Sequence, residues 1–135
     1  MPQPGCPLLV LWVGAGGVVG SVLRYLVVTW VNGAMGAPAF PYGTLAVNAI
    51  GCLVIGLVVG LWDAHHALTR EAQAFLIVGV LGGFTTFSAF GIETVRLLRD
   101  GAYVAGFANV FLQLAIGLSA VAVGLRIGQA FRPDV

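Results

Sequence analysis

The stretch Gly82–Phe90, GGFTTFSAF, places two glycines and three hydroxyl side chains among phenylalanines. It lies in a segment, 72–98, that is otherwise apolar enough to cross a bilayer. Glycine, serine and threonine all weaken a regular helix. Non-helical backbone survives at membrane depth only where it is buried in protein or lines a water-filled path. The stretch therefore predicts a membrane helix broken near 82–86.

The composition around this stretch is that of an integral membrane protein. Of the 135 residues, 59% are hydrophobic and 8% are charged, and the mean hydropathy is +1.01. In soluble domains about a quarter of all residues are charged. Since a spanning helix needs about 20 apolar residues, the length allows four crossings with short connections. A net charge of +1, without a basic stripe, argues against a nucleic-acid-binding surface.

Polar or Gly/Pro-rich connections divide the chain into four helices of one all-α transmembrane domain. The predicted helices span 7–31, 44–62, 72–98 with its break, and 102–127. The N-terminal segment has no positively charged region typical of a signal peptide, so we expect it to be retained as the first helix. Cys6 and Cys52 fall in different helices and are predicted to be small packing residues rather than a disulfide.

Each predicted helix carries two glycines four residues apart, which allows close helix packing. The pairs are Gly16 and Gly20, Gly56 and Gly60, Gly79 and Gly83, and Gly124 and Gly128. Four packed helices leave little room to enclose a pore, so association with a second copy is expected.

The arginines are balanced across the predicted membrane. The termini and the second connection share a side with Arg70, Arg126 and Arg132, whereas the other side has Arg24, Arg96 and Arg99. Orientation follows the Lys/Arg bias of short loops. Three arginines on each side therefore predict insertion both ways round and an antiparallel, dual-topology homodimer.

A broken helix would leave backbone carbonyls without helical partners. Carbonyl oxygens are hard ligands that suit a small cation such as Na⁺. The alternative is a kink in which the threonine hydroxyls satisfy the freed backbone, and the residues leave both interpretations open.

Aromatic and amide side chains near the break are candidates for an anion path. Phe87 and Phe90 are three residues apart and share one side of a helical turn, and an aromatic ring is electropositive at its edge. Neutral donors occur in pairs four residues apart on the neighbouring helices: Thr44 with Asn48, and Asn109 with Gln113. Core packing of the rings and hydrogen bonding between helices are the alternatives.

Three segments resemble the small fluoride channels of the Fluc or CrcB family. GGFTTFSAF is similar to the family's GG-x-TTFS-x-F signature, and Glu93 and Thr94 follow it as the family's ET pair. GAGGVVGSVLRY (14–25) resembles the family's glycine-rich first helix, and GTLAVNAIGCLVIG (43–56) resembles its second. The motifs occur in the family's order, and length and hydropathy agree over nearly the whole chain.

The resemblance implies a passive fluoride channel in a bacterial inner membrane: an antiparallel homodimer with two pores and a central structural Na⁺. It places the Na⁺ on the carbonyls of Gly82 and Thr85. The implied fluoride-pore residues are Phe87, Phe90, Asn48, Ser88 and Thr44, followed by Asn109 and Gln113 on the last helix. Arg24, Thr86 and Glu93 are implied vestibule or structural residues. Ala89 departs from the threonine common in the family.

Three other classes fit the residues less well. A proton-coupled multidrug transporter needs a membrane-embedded carboxylate, and the nearest acid, Glu93, is predicted near the end of a helix. A structural subunit would use the same polar residues only for packing. An enzyme is least favoured, because His65 and His66 lie in a predicted loop and are expected to be solvated.

Overall fold

Four long helices form the chain, as a computed structural model describes it for residues 6–36, 39–65 and 69–131. Helix α1 spans Cys6–Ala34 and α2 spans Tyr42–His65. The third crossing consists of α3, a helical run built from Arg70–Gln73, Ala74–Leu81 and Gly82–Phe84, followed by α4, Phe87–Arg99. Helix α5 spans Tyr103–Ala130. The prediction of four spanning helices with a break in the third is confirmed.

The helices begin and end within about three residues of the predicted bounds, a margin close to the ordinary uncertainty of helix ends. The sharp turn between α4 and α5 has a local cause. Gly101 has a φ of 79°, its N–H donates to the Leu98 carbonyl, and the Ala102 N–H donates to the Leu97 carbonyl. This paired pattern ends a helix with a left-handed residue, which favours glycine. The Arg-Asp-Gly sequence thus turns the chain back into the membrane.

The central part of α3 was not predicted in its detail. Ala74–Leu81 is a π-helix, and the Gly82 N–H accordingly donates to the Ile77 carbonyl five residues earlier. Such widened turns are rare and are found mostly at functional sites. Here the π-helix leads directly into the break at Thr85.

The predicted glycine pairs lie at two helix contacts, one between α1 and α3 and one between α2 and α5. A Cβ at Gly16 would lie 2.9 Å from the Gly79 Cα, so α1 and α3 approach backbone to backbone. A Cβ at Gly60 would lie 3.0 Å from the Gly128 Cα, which brings α2 against α5 in the same way. Since lipid supplies no hydrophobic drive for helix association, such close contact stabilises the bundle by van der Waals packing.

We expect Gly124→Ala to destabilise the protein by about 1–3 kcal/mol, the usual cost of overpacking. A Cβ at Gly124 would collide with the Leu53 carbonyl and lie 2.8 Å from the Leu57 nitrogen. Gly117→Ala on the same helix is the matched control, because its Cβ would meet only the Cys52 Sγ at an ordinary 3.5 Å. Thermal unfolding in detergent at fixed protein concentration measures both. Equal melting temperatures for the two variants would contradict the packing argument.

Candidate functional site

The third crossing is interrupted at two consecutive threonines. Thr85 has φ −82° and ψ 159°, and Thr86 has φ −153° and ψ 114°, so both are extended. Thr86 caps the new helix, since its Oγ1 accepts from the Ala89 N–H at 3.2 Å. The Thr85 hydroxyl donates to the Leu81 carbonyl at 3.0 Å. Both hydroxyls therefore bond backbone groups near the ends of the two helical pieces, although the Leu81 carbonyl also accepts from the Thr85 N–H.

Asn48 of α2 holds the extended segment in place. Its Oδ1 accepts from the Thr86 N–H at 2.8 Å, and its Nδ2 donates to the Thr86 carbonyl at 3.1 Å. The second Nδ2 hydrogen goes to Gln113 Oε1 on α5, also at 3.1 Å. An asparagine amide carries two hydrogens, so both donors of Asn48 are used within the protein.

The break withdraws helical donors from the carbonyls that precede it, those of Gly82 and Thr85 among them. In a continuous helix the Thr86 N–H would donate to Gly82 and the Ala89 N–H would donate to Thr85. These N–H groups bind Asn48 Oδ1 and Thr86 Oγ1 instead. The Thr85 carbonyl is approached by Arg24 Nη1 at 3.5 Å, which is long for a hydrogen bond.

A first cavity of about 440 Å³ lies beside the break, bounded by α2, α3, α4 and α5. Phe87 and Phe90 line it, with ring centroids 5.3 Å apart and planes inclined by 58°. Its polar lining comes from neutral side chains of Asn48, Gln113, Thr85 and Thr86, together with the Cys52 thiol. Phe87 is 81% exposed in the single chain, so most of that side chain faces outward.

A second cavity of about 660 Å³ lies on the other side of Thr86, which lines both. This cavity contains the charged groups Arg24 and Glu93, with Thr44 and Ser88. Thr44 Oγ1 donates to Glu93 Oε1 at 2.8 Å, while Glu93 Oε2 is buried without a hydrogen-bond partner among the described residues. The first cavity, lined by neutral groups, and the second, which contains charged groups, therefore lie on either side of Thr86 in the extended segment.

The two amides predicted on the last helix have different surroundings. Gln113 lines the first cavity and accepts from Asn48. Asn109 is fully buried, and its Nδ2 donates to Thr94 Oγ1 of α4 at 2.9 Å. Asn109 therefore joins α4 to α5 and lines neither of the two cavities.

Arg24 does not lie in a loop. It is ten residues before the end of α1 at Ala34, about 15 Å along the axis, and its side chain contacts the break. The assignment of Arg24 to one side of the membrane stays a prediction, because the hydropathy pattern gives no depth for a charge inside a helix. Without it the sequence has Arg96 and Arg99 on that side, against Arg70, Arg126 and Arg132 on the other. Arg132 and His66 lie outside the described residues.

Sequence reasoning missed Cys52 as a cavity residue and the contact between Thr44 and Glu93. Cys52 is four residues after Asn48, one helical turn along the same face, and this spacing could have placed it in the cavity. Nothing in the sequence joins Thr44 to Glu93, since 49 residues separate them.

Replacing Thr86 by valine is expected to lower the free energy of unfolding by about 1 kcal/mol, because the cap of α4 is lost while the side-chain shape is kept. Thr86→Ser keeps the hydroxyl and is the control. Hydrogen exchange of the α4 amides, Ala89 above all, measures the effect. Equal protection in both variants would show that the hydroxyl does not cap the helix.

Together these features define a four-helix integral membrane protein whose polar groups converge on a break in one helix. The family model described as "CrcB-like protein, Camphor Resistance (CrcB)" matches residues 11–125. The chain belongs to this CrcB family.

Curated relatives are similar in sequence over most of the chain. A Rhizobium etli protein named "Fluoride-specific ion channel FluC" is 48% identical over 122 residues, covering 89% of this chain and 95% of its own. A protein of the same name from Thermus thermophilus is 47% identical, covering 89% and 93%. Another from Sorangium cellulosum is 39% identical, covering 87% and 92%.

Proposed function

We propose that this protein is a passive, fluoride-selective ion channel that exports fluoride across the membrane and relieves its toxicity. The observation that carries the proposal is the first cavity, where Phe87 and Phe90 lie beside neutral amide and hydroxyl groups. Its lining contains no Asp, Glu, Lys or Arg among the described residues. The names of the relatives support the same ion.

Fluoride is small and strongly hydrated, so a path for it must replace its water. Ring edges carry partial positive charge, and amides and hydroxyls donate hydrogen bonds. None of these groups binds an anion as tightly as a lysine would. Conduction requires binding that is strong enough to admit the ion and weak enough to release it, and neutral groups satisfy both conditions. The channel therefore needs no energy source besides the fluoride gradient.

We further propose that the channel is an antiparallel homodimer with two pores, inserted in a bacterial inner membrane. The exposure of Phe87, 81% in the protomer, supports this, because a second copy would enclose the ring that one copy leaves open. The near balance of arginines between the two sides in the sequence, Arg24, Arg96 and Arg99 against Arg70, Arg126 and Arg132, supports dual topology.

A structural Na⁺ at the dimer centre is also proposed, on the carbonyls of Gly82 and Thr85. The residues fit the ion, because the break has removed the helical donors of both oxygens and carbonyls are hard ligands. Bound there, the ion would supply a fixed positive charge near the anion path. Replacing Na⁺ by a large organic cation during purification and flux measurement is expected to reduce fluoride flux, whereas full flux would contradict this role.

Proton-coupled transport is the second candidate, favoured by one observation. Glu93 is a carboxylate in the charged cavity, with one oxygen buried and without a partner among the described residues. Proton-coupled carriers use such intramembrane carboxylates. This candidate requires flux that follows an imposed proton gradient.

Growth under fluoride stress tests the proposed function in cells. A bacterial strain that lacks its own fluoride export is expected to grow on fluoride when it expresses this protein. The same strain with Asn48→Ala, matched for membrane expression, is expected to remain sensitive. Sensitivity despite abundant wild-type protein in the membrane would contradict the proposal.

A further inference from the structure

The carbonyl of Thr85 has a cationic neighbour within the chain. Its helical donor is lost at the break, because the Ala89 N–H bonds Thr86 Oγ1 instead. Arg24 Nη1, on α1, approaches this oxygen at 3.5 Å, which is too long for a strong hydrogen bond. A guanidinium keeps its charge at every physiological pH. The oxygen is therefore held only loosely, by a side chain that carries a full positive charge.

Arg24 shares the second cavity with a carboxylate that has an unused oxygen. No salt bridge joins Arg24 to Glu93, although both line this cavity. Glu93 Oε1 accepts from Thr44 Oγ1 at 2.8 Å, whereas Glu93 Oε2 is buried and has no hydrogen-bond partner among the described residues. A buried carboxylate oxygen without a donor is costly, and arginine pairs especially well with carboxylates. The cavity therefore offers Arg24 a second partner besides the Thr85 carbonyl.

We propose that Arg24 competes with Na⁺ for the Thr85 carbonyl, and that Arg24 pairs with Glu93 when Na⁺ is bound. This inference rests on the proposed Na⁺ site, which includes the same oxygen. Two positive charges on one carbonyl repel each other, and the repulsion is strong at membrane depth because little water screens it. Pairing with Glu93 separates the charges and gives Oε2 a donor. Arg24 and Glu93 thereby set the Na⁺ concentration at which the site fills.

The melting temperature of the purified protein in detergent, followed as NaCl replaces N-methyl-D-glucamine chloride, measures Na⁺ binding. An ion that binds only the folded state stabilises it. Arg24→Gln removes the competing charge, so the Na⁺ concentration that gives a fixed rise in melting temperature is expected to fall at least about tenfold. Glu93→Gln removes the second partner of Arg24, so that concentration is expected to rise at least about tenfold.

Two further variants exclude a general effect of charge. Arg126→Gln makes the same change on an exposed arginine of α5 that lines neither cavity, and it should need as much Na⁺ as the wild type. When Arg24→Gln and Glu93→Gln are combined, Glu93 has no arginine to draw away, so the Na⁺ requirement should match that of Arg24→Gln alone. If the two charges acted on the ion independently, their effects would cancel in the double variant.

An unchanged Na⁺ requirement in folded Arg24→Gln, or cancellation in the double variant, would overturn the proposal. Glu93→Gln decides the question if Arg24→Gln does not fold, since a wild-type Na⁺ requirement would show that Glu93 is not an alternative partner of Arg24. A wild type that does not respond to Na⁺ would remove the proposed cation site, and this competition with it. Fluoride efflux, measured separately, tests the channel function itself.

Discussion

Asn48→Ala is expected to lower fluoride flux by at least about 100-fold and to destabilise the folded chain. The side chain bonds both the N–H and the carbonyl of Thr86, at 2.8 and 3.1 Å. Alanine would leave both groups unsatisfied at membrane depth, at about 1–3 kcal/mol for each. If the conducting geometry is destabilised by about 2.7 kcal/mol, the rate of conduction falls about 100-fold. Efflux and thermal unfolding measure the two effects.

Asn32→Ala is the matched control, because it removes the same type of bond away from the break. Asn32 Oδ1 accepts from the Gly43 N–H at 3.1 Å, where α1 connects to α2. This variant is expected to lose some stability and to keep its flux. If both variants conduct like the wild type, the extended segment does not depend on Asn48.

Phe87→Ile is the second large effect that we expect, a fall in fluoride flux of at least about tenfold, or 1.4 kcal/mol. Isoleucine keeps an apolar side chain but has no electropositive ring edge, and it removes the ring that lies 5.3 Å from Phe90. Stability is measured beside flux, because the second copy in the proposed dimer would enclose this ring, which is 81% exposed in the single chain. Flux and melting temperature are measured on the same preparation.

Phe107→Ile on α5 provides the comparison. Phe107 is 68% exposed and lines neither cavity, so the same chemical change there should leave flux intact. Equal flux in the two variants would show that the ring of Phe87 is not part of the ion path.

The features that local chemistry controls could be predicted from the sequence. Long apolar runs predicted the four helices. The Gly-Gly and Thr-Thr pairs predicted the break, because each of these residues weakens a helix by itself. Glycines at i and i+4 predicted the close contacts, since spacing alone places them on one face. The sequence left open whether hydroxyls or a cation satisfy the break; the hydroxyls of Thr85 and Thr86 meet backbone groups, and the cation stays a proposal.

Partners distant in sequence could not be predicted. Asn48 and Thr86 are 38 residues apart, and only the packed bundle brings them together. Asn109 and Gln113 look equivalent along α5, yet Asn109 meets Thr94 of α4 while Gln113 meets Asn48 of α2. The difference depends on where neighbouring helices cross α5. The π-helix at Ala74–Leu81 likewise had no sequence signal that we recognised.

The central claim, passive and selective conduction of fluoride, is tested most directly by efflux from liposomes containing the purified protein. A fluoride electrode follows release down a fluoride gradient without a proton gradient, and a chloride electrode follows parallel vesicles loaded with chloride. The account predicts fast fluoride efflux, little chloride efflux above empty liposomes, and loss of the fluoride signal in Asn48→Ala. Fluoride release no faster than from empty liposomes, or release only when a proton gradient is imposed, would contradict it.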